Sequence, residues 1–200
     1  FLIISIKDKI WRYYNTLFFK IFLFFYFYIL ILSFFSQNPQ LSFESTLFYF
    51  RFGIFAIAIW YLLDQNSKLL KFFSYSLFIT YSFVLIDGYF QFFSGQNLFG
   101  MISPDPIRVS GIFGNELVLG SFLSRLLPLV FAMFFIYKKT KILTLYSILI
   151  FVLTDLLVYI SGERVAFLLI ALSTIAILFF INEWRLIRLF TLLISLILIV

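Results

Sequence analysis

Residues 142–160 read ILTLYSILIFVLTDLLVYI, a continuous apolar run whose only charged side chain is Asp155. The run does not alternate apolar and polar residues with the period of two that a membrane β-strand requires. As an α-helix it is long enough to cross a hydrocarbon core of about 30 Å. The sequence therefore predicts an all-α fold, a polytopic transmembrane helical bundle. About seven spans are expected, at residues 17–35, 48–63, 70–90, 111–137, 142–160, 165–181 and from 189 to 200 and beyond.

The composition indicates that the bilayer is the solvent for most of the chain. Hydrophobic residues make up 64% of the sequence and charged residues only 12%, whereas soluble domains are about half apolar and a quarter charged. Membrane lipids are therefore expected partners. The sequence has no Cys and no His, which excludes thiolate catalysis and a histidine base within this stretch. Without a carboxylate cluster either, we expect no metal and no other cofactor.

The basic residues set the expected orientation. With a cytoplasmic N-terminus, the outer side receives only Arg51, Arg108 and Arg164, as the positive-inside rule favours. The net charge of +6 is thus explained by orientation, and no nucleic-acid binding is expected. The inner side receives Lys7, Lys9, Arg12, Lys20, Lys68, Lys71, Lys138, Lys139, Lys141, Arg185 and Arg188. Because the chain starts with a Phe and stops within an apolar run, we expect residues 1–200 to form a single membrane domain truncated at both ends.

A first polar motif, RVSGIFGNE, lies at residues 108–116, at the predicted start of the fourth span. The start of a helix offers free N–H groups and a positive dipole end. With Arg108 beside it, this start is a candidate anion site. The alternative is structural: Ser110 and Asn115 cap the helix, and the glycines Gly111 and Gly114 allow close helix packing.

A second motif, SGER at residues 161–164, opens the sixth span on the same predicted outer side. Its structural alternative is a simple turn with an exposed Glu–Arg pair. Guanidinium groups bind phosphate in a forked geometry. Arg108 and Arg164 together could therefore hold a lipid-linked diphosphate and stabilise it as it leaves.

A third feature is Arg125, about midway along the fourth predicted span. Charged residues inside a membrane usually find a partner. Asp155 and Asp87 are both candidates for that partner. The sequence predicts Arg125 and Asp155 as buried charges, either in a functional site or in a structural ion pair.

At these motifs the chain resembles the O-antigen ligase and O-antigen polymerase superfamily of bacterial envelope proteins. The matching stretches are RVSGIFGNELVLGSFL at 108–123 and SGERVAFLLIAL at 161–172. The order and spacing of the motifs and their predicted membrane side agree with that family. The chain departs from it where members often have Asn-Pro-Asn and this sequence has Asn115-Glu116-Leu117.

The resemblance implies a glycosyltransferase of the bacterial inner membrane that is independent of metal ions. Its donor would be a glycan linked to a polyprenyl diphosphate, and its acceptor a lipid or a glycan. Arg108 and Arg164 would contact the diphosphate, and Glu116 or Glu163 would orient an arginine or accept the acceptor's proton. The expected binding residues are Arg108, Ser110, Gly111, Asn115, Ser161 and Arg164. The alternatives are a flippase or transporter of lipid-linked glycan and a non-catalytic subunit of polysaccharide assembly.

Overall fold

The computed structural model describes Lys7, residues 11–137 and residues 140–199. Lys9, Lys138 and Lys139 of the predicted inner side, and Val200 of the predicted seventh span, lie outside the described residues. Within the described ranges the chain forms seven α-helices and no named strand. The helices are α1 Leu17–Ser33, α2 Pro39–Gln65, α3 Lys68–Ser94, α4 Leu119–Ile136, α5 Lys141–Ile160, α6 Arg164–Phe180 and α7 Asn182–Ile199.

The length and composition of these helices indicate a membrane protein. Four of them, α2, α3, α4 and α5, are long and apolar enough to cross a membrane, and α1 and α6 are shorter apolar helices. Large apolar side chains stay exposed along the helices, among them Phe24 at 77%, Ile142 at 82% and Phe180 at 84%. Lipid is the solvent that accommodates such surfaces. The all-α prediction is confirmed, while the count of about seven spans and the cytoplasmic N-terminus stay predictions.

Local sequence signals fix several helix starts. The hydroxyl oxygens of Thr16 and Thr140 accept hydrogen bonds from backbone N–H groups in the first turns of α1 and α5, as N-cap residues do. Pro39 occupies the first turn of α2, where its missing N–H costs nothing. The second helix therefore begins well before the predicted start at residue 48. Its first turns contain polar residues, so a continuous apolar run does not mark where the helix begins.

The fourth helix also differs from the prediction, which began it at residue 111. A 3-10 turn covers Gly111–Phe113, and α4 begins only at Leu119. Gly111 and Gly114 have φ of +58° and +60°, in the left-handed region that ends helices and favours glycine. Most of the first motif is therefore loop rather than helix.

The chain divides into two compact units, Phe1–Phe72 and Phe73–Val200. In the first, the Tyr13 hydroxyl donates to the Asp64 carboxylate at 2.9 Å, and the hydroxyls of Ser33 and Thr46 lie 2.7 Å apart between α1 and α2. The single membrane domain over residues 1–200 stays a prediction.

The second unit holds both motifs. In its core, α4 packs against α5 and α6, and α7 packs against α5 and α6. From α3, the Tyr81 hydroxyl lies 2.9 Å from Thr154 Oγ1 of α5 and donates to the Leu123 carbonyl of α4 at 3.2 Å. This packing brings the start of α4 next to the turn between α5 and α6.

Candidate functional site

The loop from α3 to α4 is anchored by buried polar side chains near the end of α3. The Gln91 Oε1 atom accepts hydrogen bonds from the backbone N–H groups of Ser110 at 2.9 Å and Gly111 at 2.6 Å. The Asn97 Nδ2 atom donates to the Gly111 carbonyl at 2.9 Å. Ser110 and Gly111 are buried, so these two predicted binding residues hold the loop in place.

Asp87 of α3 lies beneath the same loop and is fully buried. Its Oδ1 atom accepts from the Leu98 N–H at 2.9 Å. Its Oδ2 atom has no hydrogen-bond partner among the described residues. A Cβ atom added to Gly111 would lie 3.1 Å from that oxygen, so a glycine at this position lets the loop approach the carboxylate closely.

Arg108 connects the two motifs directly. Its Nε atom donates to the Ser161 carbonyl at 2.8 Å, and the side chain passes closely over Gly162. A Cβ atom at Gly162 would lie 3.2 Å from Arg108 Nε, and Gly162 has a φ of +68°. The fold therefore brings the two motifs into contact, through a hydrogen bond between a side chain and a backbone carbonyl, while their shared membrane side stays a prediction.

Glu163 occupies the N-terminus of α4. Its carboxylate accepts from the N–H groups of Gly120 at 2.7 Å and Ser121 at 3.0 Å, and also from the Ser121 hydroxyl. A carboxylate at a helix N-terminus satisfies free N–H groups and complements the dipole. The predicted anion site at this helix start is thus filled by the protein's own carboxylate.

The structural alternative for the first motif also needs correction. Ser110 makes no side-chain capping bond, and the residue before α4 is Val118, which cannot cap with its side chain. Asn115 is exposed. The predicted capping roles of Ser110 and Asn115 are wrong because the helix starts several residues later, where Glu163 supplies the cap from another segment.

Arg164 is exposed at the first residue of α6. It lines an open groove of about 290 Å³ together with Tyr159, Gly162 and Phe167. Glu116 is also exposed. Within the described part of the chain, neither the Arg164 guanidinium nor the Glu116 carboxylate has a hydrogen-bond partner, so both are free to meet a ligand.

The prediction that Arg125 is a buried charge paired with Asp155 or Asp87 is wrong. Arg125 is exposed. Asp155 is buried as predicted, but its partner is Arg188 of α7, whose NH1 and NH2 atoms donate to the two carboxylate oxygens at 2.8 and 2.9 Å. The sequence analysis predicted Arg188 at the inner membrane boundary. In the structure α7 already begins at Asn182, and Arg188 is buried between the helices.

Hydroxyl groups and an aromatic ring complete the surroundings of this pair. Thr174 Oγ1 of α6 accepts from Arg188 Nε at 3.0 Å and from NH2 at 2.6 Å. Ser195 Oγ donates to Asp155 at 3.2 Å, and the guanidinium lies 4.9 Å from the Phe151 ring centre. The spacing of Arg188, Thr191 and Ser195 along one helix face was the available sequence signal for this buried polar stripe.

No cluster of three His, Cys, Asp or Glu side chains suited to a metal ion lies within the described ranges. No protein-family model, curated protein or solved structure matches the chain.

Proposed function

We propose that the protein is a bacterial inner-membrane glycosyltransferase that transfers a glycan from a polyprenyl-diphosphate donor to a lipid or glycan acceptor. In this proposal about seven spans cross the membrane from a cytoplasmic N-terminus, and both motifs lie at the periplasmic face. One observation carries the proposal: the hydrogen bond from Arg108 to the Ser161 carbonyl joins two distant arginine motifs.

The geometry suits stabilisation of a diphosphate leaving group. Arg108 uses Nε for the Ser161 carbonyl, and its terminal nitrogens have no partner among the described residues. Arg164 begins α6 three residues after Ser161 and presents its guanidinium to an open groove. Guanidinium groups bind phosphate oxygens by paired N–H donors. Two such groups stabilise the charge that develops as the bond between the sugar and the diphosphate breaks.

The acceptor hydroxyl attacks the anomeric carbon and must lose its proton. Glu163 is held by the N–H groups of α4, so it is poorly placed as a base. Glu116, the other acid of the two motifs, is exposed. The proposal therefore assigns proton acceptance to Glu116 and positioning to Glu163.

The test is turnover of lipid-linked glycan by the full-length protein in proteoliposomes. Arg164→Ala removes one stabilising donor and should lower turnover by about 100-fold. Arg108→Lys should also lower turnover, because an ammonium lacks the forked geometry by which a guanidinium can hold the Ser161 carbonyl and a phosphate together. Arg51→Ala is the matched control, because Arg51 is also exposed and predicted on the outer side, but it lies in α2. Its turnover should equal that of the wild type.

Wild-type turnover in both motif variants, at equal amounts of folded protein, would refute the proposal. Movement of lipid-linked glycan across the bilayer without transfer would instead identify a flippase. The absence of both activities would favour an assembly subunit.

A further inference from the structure

Two grooves of the second unit meet at one aromatic side chain. The groove at Arg164 has Phe167 as a lining residue. A second groove, of about 250 Å³, runs between α6 and α7 and is also lined by Phe167. We call this second groove the trough. Its walls are mainly aliphatic, and Ala171, Leu192 and Leu196 are among its lining residues.

The two grooves follow one face of α6. Arg164, Phe167, Ala171 and Ile175 are spaced by three or four residues, which places them in line along the helix. A rise of 1.5 Å per residue puts Ile175 about 16 Å from Arg164 along the axis. A molecule lying on this face would thus meet a cation at one end and an apolar surface beyond it.

The floor of the trough is polar but carries no net charge. Asp155 lines it, yet both of its carboxylate oxygens accept from Arg188 at 2.8 and 2.9 Å. Because the acid is paired, the trough does not require a cationic ligand. At the mouth lies Arg164, whose guanidinium has no partner among the described residues, and the Arg108 side chain lies against Gly162 of the same groove.

We propose that the trough binds the polyprenyl chain of the donor while the attached diphosphate lies at Arg164. This inference rests on the proposed function and adds the place of the lipid chain to it. The charge at the mouth complements the diphosphate. The volume of the trough lies below the ~300–1,000 Å³ of typical ligand pockets, which suits part of one slender chain better than the two acyl chains of a phospholipid.

Two alanines of α6 allow a matched test in full-length protein. Ala171 lines the trough, whereas Ala176 lines a different groove, between α4 and α6. Ala171→Phe should raise the KM for a long-chain polyprenyl-diphosphate donor by about tenfold, since it removes ground-state binding of the chain. The KM for a donor with one short prenyl unit should not change. Ala176→Phe should leave both KM values at the wild-type level.

A second variant protects the test against misfolding. Leu196→Trp fills the trough from α7 and should reproduce the chain-length effect of Ala171→Phe. Each variant must elute as the wild type does in size-exclusion chromatography. Equal KM changes for the long and short donors, or equal effects of Ala171→Phe and Ala176→Phe, would overturn the inference.

Photolabelling separates this inference from the proposed function, because it needs no turnover. A polyprenyl diphosphate with a diazirine on its chain should label α6 and α7 in nanodiscs, and Ala171→Phe should abolish that label. A diazirine-bearing phosphatidylglycerol should not compete for the site. Equal labelling by the phospholipid would overturn the trough as a prenyl site, whereas prenyl labelling without any turnover would overturn only the catalytic proposal.

Discussion

Replacing Arg188 with methionine should destabilise the second unit more than any single change at its exposed arginines. The guanidinium is fully buried and donates to both carboxylate oxygens of Asp155 and to Thr174. Methionine fills similar space but donates nothing, so the carboxylate loses its countercharge. Breaking a buried pair from one side typically costs about 3–5 kcal/mol.

A double substitution tests whether the destabilisation by Arg188→Met comes from the buried Asp155 carboxylate that is left without a countercharge. Asp155→Leu combined with Arg188→Met removes both charges and leaves an apolar contact. Replacing a whole buried pair in this way is often neutral. The Thr191 and Ser195 hydroxyls keep backbone carbonyl acceptors on α7. We therefore expect the double variant to unfold within about 1–2 kcal/mol of the wild type.

The assay is reversible unfolding by SDS in mixed micelles, followed by tryptophan fluorescence, to which the buried Trp184 of α7 contributes. Arg185→Met is the matched control, since Arg185 lies on the same helix but is exposed, and it should cost about 1 kcal/mol or less. The reasoning fails if Arg188→Met unfolds like the wild type. It also fails if the double variant is as unstable as the single one.

Two predictions concern the turn between α5 and α6. Glu163→Ala should lower the unfolding free energy by about 1–2 kcal/mol, because α4 loses its cap. Glu163→Gln should lower the unfolding free energy less, because the amide oxygen can still accept a hydrogen bond. Equal losses for the two variants in the SDS assay would contradict this prediction. Gly162→Ala should cost more than Gly95→Ala, because both residues have positive φ but only the Cβ at Gly162 meets Arg108. The left-handed backbone alone costs about 1–2 kcal/mol, so equal losses would show that the contact with Arg108 adds nothing.

The apolar runs predicted the existence of the helices, because continuous apolar length is itself the physical requirement for crossing a bilayer. Their starts were less predictable. The start of α2 is polar, and the start of α4 depends on the backbone of Gly111 and Gly114. The cap of α4 comes from Glu163, more than forty residues further along the chain. A prediction from local sequence patterns cannot identify a capping residue so far along the chain.

The buried charge shows the same limit. Arg125 lies in the middle of an apolar run and was therefore predicted to be buried, yet the helix turns it outward. Arg188 lies among polar residues and was predicted to be at the boundary, yet α7 carries it into the bundle. Rotation about the helix axis decides burial, and it is set by packing against neighbouring helices. Arg188 shares one helix face with the polar residues Thr191 and Ser195, and this pattern was the sequence signal for its burial.

The contacts of the turn between α5 and α6 indicate different roles for Arg108 and Arg164. Because Glu163 fills the N-terminus of α4, the N–H groups of Gly120 and Ser121 are not available to the proposed diphosphate, and the proposal assigns its charge to the side chains of Arg108 and Arg164. Arg108 also has a structural role, since its Nε atom donates a hydrogen bond to the Ser161 carbonyl. Arg164 has no such contact within the described residues. Loss of turnover in Arg164→Ala, with unchanged unfolding free energy, therefore reports on ligand binding more directly than any change at Arg108.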